Sequence, residues 1–269
     1  MLEKLKQGRE FHPRRTILYA GDGVGKSSWA AQAPSPIFLA TEDGTDDIGV
    51  DRTPLITTYA ELVVWITGLV SEPHNYKTVV LDSADWTERL VHKKVAESQN
   101  KTRIEDIGYG KGYKLAIDDW GFLLSGFNAL RAKGMAIILI AHAHQVTHQP
   151  PGKDAYDRHE LALNKHAAPI LREWADEVFF AEIKVDTVVQ EGEFGRDHVR
   201  AVSNGGRIMH TYEAPEHVAK RRFKLPDVLP LDYTIYAEHL AAYKDKQTAK
   251  SGTIAGIVKN GSSKQGDKK

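Results

Sequence analysis

Cysteine is missing from all 269 residues. That excludes disulfides, thiolate-held zinc and cysteine nucleophiles. Long apolar runs are missing too: none reaches the roughly 18 residues of a membrane span. The first fifteen residues, MLEKLKQGREFHPRR, are charged where a secretory signal has its apolar core, so no leader is expected. Neither sign of charge is in excess, with 36 basic and 36 acidic residues. Bulk charge therefore gives no argument for binding a polyanion. What remains is ordinary globular composition, 41% hydrophobic and 27% charged, enough for one large α/β domain or two small ones.

Apolar periodicity then gives an alternation of strands and helices. RTILYA (15–20) is a buried strand, and a helix opens at Lys26 and ends before Pro34 and Pro36. PIFLATE is a second strand. Residues 58–71 have helical spacing through Leu62, Trp65, Ile66 and Leu69. KTVVLDSAD contains a third strand ending in Asp82, followed by a helix over 83–98 and a glycine-rich loop over 99–114. Residues 115–133 form an amphipathic helix. GMAIILIAHAHQ is the most apolar strand, expected at the centre of the sheet. A long polar segment, 145–166, precedes the helix APILREWA and the strand DEVFFAEIKV. HVRAVSN and GRIMHTYEA suggest an antiparallel pair turning at Asn204-Gly205-Gly206. The sum is a mostly parallel α/β sheet flanked by helices, with antiparallel strands added on its C-terminal side. By position the chain divides into a short extension (1–13), one domain (14–243) and a basic tail (244–269). The tail carries seven lysines and two aspartates and reads as disordered.

One stretch carries chemistry. In YAGDGVGKSSWA the ending Gly25-Lys26-Ser27 matches the phosphate-loop pattern G-x-x-x-x-G-K-[ST], except that Ala20 stands where the first glycine belongs. Gly21, Gly23 and Gly25 permit the turns that aim successive N–H groups at a phosphate. With Asp22, Val24 and Ser28 they make up the loop, with Gly21 taking the turn that Ala20 cannot. Lys26 is placed for the β- and γ-phosphates and the Ser27 hydroxyl for Mg²⁺. Asp82, an acid after four apolar strand residues, has the form of the second magnesium-holding group. ATP or GTP with magnesium is the ligand these motifs imply.

The ordered set of motifs resembles the RecA-like ATPases, closest to the short phage and prophage members implicated in single-strand DNA annealing and recombination. GYGKGY, IAHAHQ, YDRHELALNKHAAPILREWADEVFFA and AKRRFKLP carry the likeness, over about residues 13–240. The resemblance implies an ATP-hydrolysing, RecA-like core in which Glu42 is the base that orients water and His142 is the sensor of the γ-phosphate. His142, His144 and His148 are not read as a metal site, since no acidic ligand lies near them in sequence. Lys220 and Arg222 look like the trans-acting fingers of ring and filament ATPases, which would require a homo-oligomer. The loops at 99–113 and 145–166 fall where RecA binds DNA. They offer Arg103, Lys111, Lys153 and Arg158 for phosphates and tyrosines for stacking on single-stranded DNA. A single-strand DNA-binding protein as companion, no membrane, and the cytoplasm of a bacterial host complete what the likeness implies. Two alternatives stay open. One is a nucleotide-gated regulatory switch; the other is a DnaB-like ring motor or helicase accessory, against which the short stretch before the first strand counts.

Overall fold

The computed structural model describes residues 10–190, 198–202 and 205–262. Its centre is a nine-stranded sheet. β1 (Arg15–Ala20) lies between β5 (Ala136–His148) and β7 (Glu177–Ile183), parallel to both. Beyond β5 come β4 (Thr78–Asp82), β2 (Pro36–Ala40) and the short β3 (Asp51–Arg52), all parallel. On the other side β10 (Arg207–His210) pairs antiparallel with β7, and β11 (Val228–Pro230) with β10. The expected parallel sheet with antiparallel additions is the observed one.

Both sheet faces are covered, which is why the central strands read as unbroken apolar runs. Along β1, Ile17 and Tyr19 enter one core while Leu18 and Ala20 enter the other, as the two-residue period of a strand requires. The first core is closed by α2 (Tyr59–Ser71), α3 (Ala84–Ser98), α4 (Lys111–Ala132) and α5 (Ala167–Trp174). The second is closed by α1 (Lys26–Ala31) and α6 (Tyr233–Ser262), where Trp29 packs edge-on against Tyr233 with ring centres 5.0 Å apart. Thr58 and Glu61 form a capping box that starts α2, satisfying N–H groups the helix itself leaves free.

Several expectations shift. α4 begins at Lys111 rather than 115, and two short 3-10 helices, Ile104–Asp106 and Gly108–Gly110, lead into it. The segment 145–166 is no loop. β5 runs on past the sheet to His148 and folds back antiparallel onto β6 (Tyr156–Leu161), with Ala143 opposite Leu161 and His148 opposite Tyr156. Backbone pairing, not apolar patterning, makes this arm, so composition did not show it. HVRAVSN does not pair with GRIMHTYEA: β9 (His198–Val202) pairs with β8 (Asp186–Gln190), while β10 returns to the main sheet. There it gives β7 a partner on its open side and buries Met209 completely. The expected turn residue Asn204 lies outside the described residues. α6 continues to Ser262, into the stretch read as a disordered tail, where no proline interrupts a helix.

Candidate active site

β1, β5, β4 and β2 all end at one edge of the sheet, and a cleft of about 830 Å³ opens there. Their C-terminal ends are where open α/β sheets gather functional loops. From β1 the chain enters Gly21–Gly25. Gly23 and Gly25 have φ of 70° and 104°, conformations that side chains disfavour. Gly21 does not have positive φ, and Ala20 is an ordinary buried strand residue opposite His142 of β5. The methyl group at Ala20 therefore meets no conformational penalty.

Lys26 donates to the carbonyls of Ala20 and Gly21 at 3.3 and 3.0 Å, folding the loop around its own ammonium. Burial pulls its pKa down, opposed by the charges of Asp22, Asp82 and Glu42. The Ser27 hydroxyl donates to Asp82 Oδ2 at 2.7 Å, joining two motifs 55 residues apart. Burial pushes the Asp82 carboxyl up, although the Ser27 hydrogen bond opposes this. A hydroxyl and a carboxylate converging at the mouth of a phosphate loop are hard oxygen donors of the kind magnesium takes, so the residues present fit that ion.

Glu42 follows β2, and its backbone N–H, with that of Thr41, donates to the Asp82 carbonyl at 3.1 and 2.8 Å. Its carboxylate accepts from the Ser83 hydroxyl at 3.1 Å and lies 3.9 Å from His142 Nε2. His142 itself is held at two points by Asp85, a residue the sequence did not single out. Asp85 Oδ1 accepts from the His142 backbone N–H at 3.0 Å, and Oδ2 lies 2.9 Å from ring Nδ1. This hydrogen bond raises the His142 pKa, against the effect of partial burial. Burial would raise the Asp85 carboxyl, but the His142 hydrogen bonds outweigh it and hold the carboxyl below its ordinary value. Asp22 Oδ1 is 3.4 Å from Nε2 on the other side. The sequence showed no acid beside His142; the fold brings three.

Glu88, one turn further along α3, also lines the cleft. Burial pushes it up to about 7, although its carboxylate accepts the Asn164 N–H through both oxygens, at 3.1 and 2.9 Å. The Ala162 N–H donates to the His142 carbonyl at 2.8 Å. β5, the arm and α3 are thus bonded together. Asp85 and Glu88 escaped sequence reading because their meaning depends on α3 lying beside the end of β5. Their i, i+3 spacing on one helix face was the signal available.

Other expected site residues lie elsewhere. Lys220 donates to the carbonyls of Arg172, Glu173 and Ala175 at 2.8, 3.1 and 2.7 Å, so its ammonium closes the C-terminal end of α5 and is not a free finger. Arg222 is half-exposed and bonds Asp176 Oδ1 at 3.2 Å, at the edge of the sheet opposite the cleft. Arg158 is not a free cation either: it is nearly buried and pairs with Glu213. Lys153 is exposed at the turn of the β5–β6 arm, and Arg103 and Lys111 are exposed where α4 begins. Tyr109, among them, is fully exposed.

A family model described as AAA domain matches residues 12–223. No curated protein matches the chain. Among solved structures, the chain is similar to the RadB recombinase at 13% identity and a TM-score of 0.44, covering 81% of this chain and 86% of that one. It is also similar to the flagellar accessory protein FlaH from Methanocaldococcus jannaschii at 12% identity and a TM-score of 0.35, covering 74% and 85%.

Proposed function

Because the chain belongs to the AAA domain family, we propose that its cleft binds and hydrolyses ATP with magnesium and that hydrolysis serves a RecA-like action on single-stranded DNA. The observation that carries the nucleotide half is the 2.7 Å bond between Ser27 and Asp82, with Lys26, Glu42 and His142 grouped around it. The phosphate-loop N–H groups and Lys26 hold the phosphates. Ser27 and Asp82 would hold a magnesium ion, which would supply positive charge to offset that of the phosphates. Glu42 orients the attacking water and accepts its proton at a carboxylate oxygen. His142, fixed by Asp85, meets the γ-phosphate through Nε2 and passes its presence to the arm through the bonded chain at Ala162 and Asn164.

The arm supports the single-stranded DNA half. It extends β5 and β6 beyond the sheet edge that carries the cleft and presents Lys153 at its turn, with Arg103, Lys111 and Tyr109 exposed around the 3-10 turns and the start of α4. Cations with interleaved aromatic faces suit a single strand without sequence preference. Arg222, in a homo-oligomer that is a ring or filament, would serve a neighbouring cleft.

The test is steady-state ATP turnover against protein concentration, with and without single-stranded DNA. Stimulation by DNA that grows with concentration is the expected result. A slow rate indifferent to both favours the nucleotide-gated switch and overturns the DNA-dependent reading. Lys26→Ala should abolish ATP binding; tight binding that survives it overturns the site.

A further inference from the structure

A second cation reaches the phosphate loop from a direction the motif does not contain. Arg207 begins β10, and its guanidinium lies against Gly25. A methyl group built on Gly25 would come within 2.9 Å of Arg207 Nη1 and 3.7 Å of Cζ. Gly25 is required for its φ of 104°, and the guanidinium lies directly against the turn it makes. Arg207 lines the same cleft as Gly23, Lys26 and Ser27.

Its backbone is well held. Arg207 stands opposite Ile183 in the β7–β10 ladder, the Gly206 carbonyl accepts the Lys184 N–H at 2.7 Å, and the Arg207 carbonyl accepts the Leu231 N–H at 3.0 Å. The side chain differs from those of six other arginines of the protein. Arg14, Arg15, Arg131, Arg158, Arg221 and Arg222 each meet a carboxylate. Among the described residues no carboxylate meets the guanidinium of Arg207. The acids that line the cleft bear on Lys26, which leaves the guanidinium at Gly25 as a cation on the phosphate loop that no ion pair among the described residues ties to an acid. Such a cation is attracted to an anion entering the loop.

We infer that Arg207 is a phosphate ligand of the bound nucleotide, supplied by the same subunit and facing Lys26 across the phosphates. This rests on the nucleotide site proposed above and adds a residue that the loop motif does not predict. The planar fork of donors suits phosphate oxygens. Because the guanidinium lies at Gly25, in the phosphate-holding turn, it meets the polyphosphate and not the base.

The experiment measures binding of ATP, adenosine and inorganic tripolyphosphate to the full chain and to Arg207→Ala, Arg207→Lys and Lys26→Ala, with thermal unfolding as a folding check. For Arg207→Ala, ATP and tripolyphosphate should both weaken about ten- to a hundredfold, the size of a hydrogen bond to a charged group. Adenosine binding should not change, and Arg207→Lys should recover part of the loss. Weaker ATP with unchanged tripolyphosphate would mean that Arg207 meets the base, and overturns the inference. So does unchanged affinity for both, when Lys26→Ala abolishes binding. If Lys26→Ala still binds ATP, the nucleotide site itself is refuted, and the inference with it.

Discussion

His142 shows how much one side chain depends on its neighbours. Asp85 fixes both its backbone and its ring, so the imidazole faces the cleft in one orientation, and the same bond raises its pKa. Asp85→Asn should move the His142 midpoint down toward the ordinary value, read by NMR titration of its ring protons; an unmoved midpoint would refute the coupling. Glu88 carries the clearer stability effect. Its pKa rises from 4.5 to about 7 on folding, so the protonated form is favoured in the fold. Stability from this group is fully present below pH 4.5 and is lost as pH rises through about 7. The loss is at most roughly 3 kcal/mol. Glu88→Gln stays uncharged at every pH and should flatten that decline in chemical denaturation between pH 5 and 8. An identical decline in variant and parent would rule Glu88 out as its source.

At the scale of elements, the start of α4 is set by a close approach. Gly112 packs so tightly that an added methyl group would meet the Ile104 carbonyl oxygen at 2.8 Å, whereas at Gly126 it would meet only the Ile66 side chain, at 2.7 Å. A backbone carbonyl cannot swing aside, but a side chain can repack. Gly112→Ala should therefore cost about 1–3 kcal/mol, and more than Gly126→Ala. Equal costs in denaturant unfolding would show that the 3-10 turns before α4 yield freely. The β5–β6 arm is the other element with a consequence. Replacing its turn, residues 149–155, by a short polar turn should leave ATP binding intact and weaken single-stranded DNA binding, measured by fluorescence anisotropy. Undiminished DNA affinity would take the arm out of the interface.

For the whole molecule, the proposed finger role of Arg222 turns on which cleft it could reach. In its own subunit it is tied to Asp176, at the opposite edge of the sheet from the cleft, beside Arg15 and Arg131. It is half-exposed, and Asp176 keeps two other cations, so its loss should cost little stability. Arg222→Ala is expected to bind ATP normally and not turn it over. Mixed with Lys26→Ala, which offers a finger and no working cleft, it should regain activity, because each mixed interface can join an intact cleft to an intact finger. Mixing that restores nothing would exclude action across subunits.

Some of this was legible in the residues alone. Buried parallel strands need apolar residues on both faces, and a phosphate loop needs glycine at fixed spacing. Both demands are local, so β1, β4, β5, β7, Lys26, Ser27 and Asp82 could be found without coordinates. The arm could not, because its strands are held by backbone bonds between polar residues that composition assigns to a loop. Nor could β10 be placed: its partner β7 is fixed by which sheet edge is open, not by the nearer strand in sequence. Asp85, Glu88 and Arg207 belong to the same class. Each is an ordinary charged residue until α3 and β10 bring it to the cleft from 3, 6 and 125 residues beyond Asp82. The local pattern determined that a nucleotide cradle would form; only the packing of distant elements decided which charges surround it.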